Sequence, residues 1–260
     1  MGNVIALANR KGGVGKTTST VNLAQGFIQA GKNVLVVDMD PQASLTGYYI
    51  NDPVREDNLE EGHATLYWVL KDNGRPIQEI IISGAPALLP SSIQLSELEY
   101  ELMIRQWGSV NVLRKNLQSI RDQYDFILLD CPPTYGLLTI NALNAADGVL
   151  IPVKTDLLSV RGIPLLMNTI SRVQAELNNS LRVLGVLPTF YKMQNTHDQG
   201  TYAKLKQIFQ PSNIPVFEPI NHSTFYDKSV GEGQSTLQAY PNTRGVDNYY
   251  KLAEYIINHA

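Results

Sequence analysis

The sequence is almost without cysteine: Cys131 is the only one in 260 residues. That excludes a disulfide framework and any metal site built from the cysteines of one chain, and it fits a reducing compartment. An excess of one charge is missing too. Lys and Arg number 21 against 24 Asp and Glu, a formal charge of −3. No broad positive field advertises nucleic acid, and no acidic tail or disorder-like composition occurs. No apolar run is long enough to span a bilayer. The first nine residues carry no basic stretch ahead of their apolar residues and run into a glycine-rich loop, so they do not read as a signal peptide, and a cytoplasmic protein is expected. What is there, 43% hydrophobic residues in a chain of this length, can bury a core without disulfide or metal.

Short apolar runs alternate with helical patterns. Residues 4–8, 34–37, 126–129, 149–153 and 183–187 read as buried strands bounded by Asp, Gly or Pro, and 17–29 as a helix closed by Gly31. Val/Ile/Leu strands buried on both faces imply a mostly parallel central sheet flanked by helices on both faces, an α/β fold. No repeat, low-complexity tract or linker divides the chain, so 1–260 is expected to be a single domain. The stretch 51–92 is weaker in pattern and reads as an insertion on it. Apolar and aromatic residues at helical spacing across 246–257 predict a packed C-terminal helix.

The strongest signal is Asn9-Arg10-Lys11-Gly12-Gly13-Val14-Gly15-Lys16-Thr17-Thr18. It follows the first strand and opens the first helix, the context a phosphate-binding P-loop requires. Glycines let backbone N–H groups turn inward around an anion, and the helix N-terminus adds donors and partial positive charge. Gly12, Gly13, Val14 and Gly15 would cradle the phosphates. Lys16 can reach the β- and γ-phosphates, Thr17 can bind Mg²⁺, and Thr18 can donate to the α-phosphate. The general pattern places its first glycine where this chain has Arg10, and a second lysine, Lys11, precedes the Gly pair.

Two strands end in carboxylates. In open α/β sheets the ligand lies outside the carboxyl ends of the strands. Val34-Leu-Val-Val-Asp38-Met-Asp40-Pro41-Gln42 therefore brings Asp38 and Asp40 to the nucleotide edge. Asp40 is suited to orient or deprotonate a water attacking the γ-phosphate. Asp38 could hold a Mg²⁺-bound water or brace the loop, and Gln42 could add a polar contact. Phe126-Ile-Leu-Leu-Asp130-Cys131-Pro132-Pro133 fits the Walker B logic, in which a buried strand delivers one carboxylate, Asp130, toward the hydrated metal. Cys131 reads as a small buried residue.

Lys-Gly-Gly-Val-Gly-Lys-Thr resembles the deviant Walker A loop of the ParA/MinD group of P-loop ATPases. The resemblance implies that Lys11 is a signature lysine, reaching across an ATP-sandwiched homodimer to the partner's phosphates. Asp-x-Asp-Pro-Gln is similar to that group's switch I, whose second Asp is the hydrolytic one, and Asp-Cys-Pro-Pro to its switch II. Leu89 to Glu99 is similar to a further segment of the group, and so is the stretch from Ile151 to Leu166. Leu187-Pro188-Thr189 and Glu218-Pro219-Ile220-Asn221 fall where its base-binding loops occur, which implies adenine contacts from Pro219 and Asn221. With Lys11, Lys16 and Asp40 as the catalytic residues and Thr17, Asp38 and Asp130 toward the metal, the expected ligands are ATP and Mg²⁺.

Within that group the resemblance favours a partition or positioning ATPase. Such a protein dimerises on ATP, binds DNA non-specifically on the nucleoid, and hydrolyses ATP when a ParB-like partner stimulates it. The cations available for DNA are Lys154, Arg161, Arg172, Arg182, Lys192, Lys204, Lys206, Lys228, Arg244 and Lys251. The group often carries an arginine in the loop that corresponds to 191–195, where this chain has Lys192 and Met193. Alternatives are a cell-division-site ATPase bound to membrane, a positioning ATPase for a protein cargo, and a metabolic P-loop ligase. The last ten residues hold one Lys and one Glu, without the basic face that a membrane-surface helix needs, so no stable membrane association is expected.

Overall fold

The computed structural model describes residues 1–50, 52–71, 74–104 and 109–259, with Pro53 and Glu56 described in their backbone only. In chain order they form β1 (Asn3–Leu7), α1 (Lys16–Gln29), β2 (Val34–Asp38), α2 (Ser44–Ile50), α3 (Pro53–Glu61), α4 (Leu66–Leu70), α5 (Ile77–Ile80), β3 (Ala87–Leu89), α6 (Leu95–Ile104) and α7 (Val112–Gln118). There follow β4 (Phe126–Asp130), α8 (Leu137–Ala145), β5 (Gly148–Lys154), α9 (Leu157–Arg161), α10 (Ile163–Glu176), β6 (Arg182–Thr189), α11 (Thr196–Phe209), α12 (Phe225–Gly231), α13 (Thr236–Ala239) and α14 (Asn248–His259).

The six strands make one parallel sheet in the order β3-β2-β4-β1-β5-β6. Alternation along β1 shows why it is buried on both sides. Val4 and Ala6 join one apolar layer with Leu138 and Ala142 of α8 and Leu166 and Ile170 of α10. Ile5 and Leu7 join the other with Val21, Leu23 and Phe27 of α1 and Leu252 and Ile256 of α14. Phe27 stacks on Phe126 of β4 with ring centroids 4.0 Å apart. Each strand must therefore be apolar on both faces, which is the near-continuous Val/Ile/Leu pattern of the sequence.

The order also fixes the site. From β1 the chain crosses through α1 to β2 on one side, and from β4 it crosses through α8 to β5 on the other. Crossovers that diverge in this way leave a crevice at the carboxyl ends of β1 and β4. Leu7 pairs with Asp130, and Asp130 with Asp38, so three strands end abreast there.

The stretch 51–92, read as an insertion on the domain, contributes to its sheet and core. Asn51, Asp72 and Asn73 lie outside the described residues, as does Ala260 at the far end of the chain. Of the rest, Ala87–Leu89 pairs with β2 as the sheet's edge strand, and Leu66, Leu70, Ile77 and Ile80 are buried in the main core. The C-terminal helix forms as expected, two residues later than its pattern.

Candidate functional site

The loop between β1 and α1 is shaped by two glycines with left-handed backbone, Gly13 at φ 66° and Gly15 at φ 81°. A side chain at either would strain the turn. Gly15 also occupies the N-cap of α1 and supplies no capping side chain, so the helix presents its first N–H groups to whatever lies in the loop. The loop is braced from two strands, β5 and β6. Asn9 donates from Nδ2 to the Pro152 carbonyl at 2.7 Å and accepts from the Lys11 N–H at 3.0 Å. Thr189 donates to the Val14 carbonyl at 2.9 Å.

Lys16 is buried, 8% exposed. Burial lowers its pKa, while the carboxylates of Asp130 and Asp40 favour its charged form. A buried cation of this kind gains from an incoming polyanion. Beside it the Thr17 hydroxyl donates to Asp130 Oδ2 at 2.6 Å. Asp130 Oδ1 is buried and has no hydrogen-bond partner. Burial, chiefly, raises the Asp130 pKa to about 7, against the Thr17 hydrogen bond and the Lys16 charge. A carboxylate oxygen left bare beside a threonine hydroxyl and a phosphate-shaped loop suits a hydrated divalent cation, which would restore the ionised form. Among the described residues no cluster of three or more His, Cys, Asp or Glu could hold a metal alone, so such a cation would depend on ligand oxygens as well.

Asp38 is fully buried, and its oxygens are taken up. Oδ2 accepts from the Thr46 N–H and hydroxyl, both at 2.8 Å, and Oδ1 from the Asp40 N–H at 3.1 Å. Of the two roles the sequence left open, these are the bonds of a brace. Burial and the neighbouring Asp130 raise its pKa to about 8, against the bonds from Thr46 and Asp40. Asp40 stands half-buried at the mouth, its carbonyl accepting from Ser91 Oγ at 2.6 Å and its Oδ1 from the Gln42 N–H at 3.0 Å. Cys131 is buried and its thiol pKa is raised, first by burial.

Lys11 does not reach into the loop. Its ammonium donates to both oxygens of Asp156 and to Ser159 Oγ, each at 2.9 Å. Asp156 is the N-cap of α9 and accepts from the Ser159 N–H at 2.8 Å. The sequence reading missed this partner. The Asp156-x-x-Ser159 capping spacing was visible, but its pairing with a lysine 145 residues earlier was not.

A cleft runs from Gly15 and Thr18 along α1 to Asn221, Ser223 and Tyr226, floored by Phe190. Asn221 lines it, as its predicted base contact requires. Pro219 does not: it is buried, with its carbonyl accepting from Asn248 Nδ2 at 3.0 Å. The neighbouring Ile220 and Asn221 line the cleft at this point. Thr189, from the other stretch likened to a base-binding loop, lines it too, while Phe190 and Tyr226 line it and were not singled out.

The ten cations do not form one patch. Lys192 and Arg244 share a groove next to the cleft, where Arg244 contacts Met193 Sδ at 3.0 Å. Lys154 lies over the Phe190 ring, Lys206 over Tyr202 and Lys228 over Phe225. Lys204 stands on α11, Arg161 on α9 and Arg172 on α10. Lys251 is paired with Asp247 at 2.9 Å. Arg182, at the opposite end of the sheet, approaches the His259 carbonyl at 3.5 Å. Among the described residues no helix is long and apolar enough to cross a membrane.

Comparison with known proteins agrees with this geometry. A family described as "AAA domain" matches residues 2–183. The sporulation initiation inhibitor protein Soj of Bacillus subtilis is 34% identical over 256 residues, spanning 98% of this chain and 98% of the relative. The chromosome-partitioning ATPase Soj of Treponema pallidum is 34% identical over 258 residues, 99% of this chain and 98% of the relative. Among solved structures, one described as cobyrinic acid a,c-diamide synthase of Mycobacterium smegmatis, with bound ATP analogue and magnesium, superposes with a TM-score of 0.84 at 30% identity, covering 100% of this chain and 96% of the other.

Proposed function

The chain belongs to the AAA-domain family of P-loop ATPases that includes the Soj and ParA partition proteins, and on that premise we propose that it is an ATP-driven partition or positioning ATPase. It binds ATP with Mg²⁺, pairs with a second copy around the nucleotide, holds duplex DNA without sequence preference in that state, and hydrolyses ATP when a ParB-like partner completes the site. The observation that supports this best is the bare, buried Asp130 Oδ1 beside Thr17 and Lys16 at the carboxyl edge of the sheet.

Backbone N–H groups of 13–18 and the Lys16 ammonium bind the phosphates. Thr17 and Asp130 would hold Mg²⁺, which when bound supplies positive charge against the β- and γ-oxygens. Asn221 and the cleft wall orient the base. Asp40 orients the attacking water, and Asp38 keeps the loop carrying it in place through Thr46. Lys11, once free of Asp156, would place its charge on the partner's nucleotide, where preorganised charge lowers the barrier most. The localisation that follows is cytoplasmic, on the nucleoid when ATP is bound.

Binding of duplex DNA, followed by light scattering over a salt series with and without ATP, tests the reading. ATP-dependent, salt-sensitive binding supports it. Vesicle pelleting without DNA binding would replace it by the membrane-bound alternative. Lys16→Ala is expected to abolish the heat of ATP binding in calorimetry. Asp40→Ala is expected to keep binding and accumulate dimer without turnover. The likeness to the structure described as a diamide synthase favours a second reading, an amide-forming ligase. That enzyme would need a carboxylic acid co-substrate for turnover, whereas a partition ATPase needs none.

A further inference from the structure

The segment ending at Glu99 was singled out in the sequence, yet the proposed chemistry leaves Glu99 without a task. The structure gives it one. α8 begins directly after the loop that follows Asp130, and its N-cap is Gly136, which has no side chain to bond the helix's free N–H groups. The first turn of α8 holds no acidic residue either. The acceptor comes instead from α6: Glu99 Oε1 receives the Leu138 N–H at 3.4 Å. The approach is so close that a Cβ built on Gly136 would stand 1.8 Å from Glu99 Oε1. Glycine at 136 is therefore the condition for the carboxylate to sit there. A negative charge over a helix N-terminus is favoured by the helix dipole as well as by the hydrogen bond.

We infer that Glu99 is a positioning residue: by capping α8 from a separate helix, it fixes the far hinge of the loop whose near end is Asp130. Asp130 is anchored on one side by its own strand and by Thr17. On the other side the loop is fastened at Thr134, whose carbonyl accepts from Thr139 Oγ1 at 2.6 Å, and at the Gly136 hinge by Glu99. With both ends held, the carboxylate is aimed at the phosphate loop before any ligand arrives. This role rests on the ATPase reading for its consequence in turnover, but not for its mechanical content.

Hydrogen–deuterium exchange on the nucleotide-free protein tests the mechanical part. In Glu99→Ala the amides of 131–139 are expected to exchange about tenfold faster, with α1 and β1 unchanged, the signature of local opening. Glu99→Gln keeps an oxygen acceptor and is expected to stay close to wild type. Turnover tests the consequence. Glu99→Ala is expected to lose roughly tenfold in kcat, the scale found for residues that orient a metal ligand, with KM for ATP changed by less than about twofold. Gly136→Ala is expected to expel the carboxylate and reproduce Glu99→Ala, and the double variant should be no worse than either single one. If Gly136→Ala fails to fold, the Ala and Gln variants at 99 decide alone. Unchanged exchange across 131–139 in Glu99→Ala would overturn the assignment, as would effects of the two sites that simply add. Should the wild-type protein show no ATP turnover, the ATPase reading falls, while the exchange data still judge Glu99.

Discussion

One ammonium group cannot hold Asp156 and a partner's phosphate at the same time. With its three 2.9 Å bonds, Lys11 is withdrawn in this conformation, and the proposed contact with a partner's nucleotide would first have to break them. The side chains of Lys11 and Asp156 are 38% and 30% exposed, so the pair contributes on the order of 0.2–1 kcal/mol. Asp156→Asn, which retains an oxygen to cap α9, should lower the ATP concentration for half-maximal dimer by less than about tenfold; analytical ultracentrifugation across an ATP series measures it. A second expectation concerns pH. Asp38 has a folded pKa of about 8, well above that of an exposed aspartate, so the folded state binds the extra proton. Stability is fullest below the unfolded pKa near 4 and is lost as pH rises toward 8. Denaturant titration of the nucleotide-free protein from about pH 5 to 8 should show this fall. Asp38→Asn should be less stable overall, since its amide would face the Asp40 N–H, yet should show a flatter pH dependence. At this scale Lys16, Thr17 and Asp130 were legible because each belongs to a local motif at the carboxyl end of a strand, and parallel strands bring such ends to one edge. Asp156, Thr46 and Glu99 were not, since each meets its partner only through the fold.

Among the elements, α14 decides between two readings of an amphipathic helix. Its apolar residues Tyr249, Leu252, Ala253 and Ile256 are buried, and the Tyr249 hydroxyl lies 3.1 Å from Ser19 Oγ of α1. A helix whose apolar face is already covered has nothing left for a lipid surface. Leu252→Ala should therefore cost about 2–5 kcal/mol in chemical unfolding, as for other buried leucines, and anionic vesicles should not retain the wild-type protein. Loss of vesicle binding in that variant without loss of stability would contradict this. Strands with four or more apolar residues were readable one by one. β3 was not: three residues are too few to show a period, and their burial comes from pairing with β2 and from the 66–80 helices packed beside them.

For the whole molecule, the proposed DNA binding has to bring a chain of charge −3 onto a polyanion. Lys192 and Arg244 converge in one groove, whereas Lys251 is neutralised by Asp247 and Arg182 stands at the opposite end of the sheet. The proposed dimer would double the groove, and two weak sites on one rigid body bind more tightly than either. Lys192→Ala and Arg244→Ala should each weaken ATP-dependent DNA binding at every sequence and reduce the salt slope by about one for each phosphate no longer held. Lys251→Ala should change neither, as read by a mobility assay at several salt concentrations.

The phosphate loop, the two carboxylates at strand ends and the parallel α/β layering were set by sequence alone, because each rests on neighbours within a few residues: a glycine turn, a helix N-terminus, an apolar strand. What the tertiary structure decided are the long-range pairings: the Asp156 hold on Lys11, the α6 carboxylate over α8, and the meeting of Thr17 with Asp130. These depend on how crossovers and helix packing bring distant residues within about 3 Å, the reach of a hydrogen bond, and no local pattern encodes that distance.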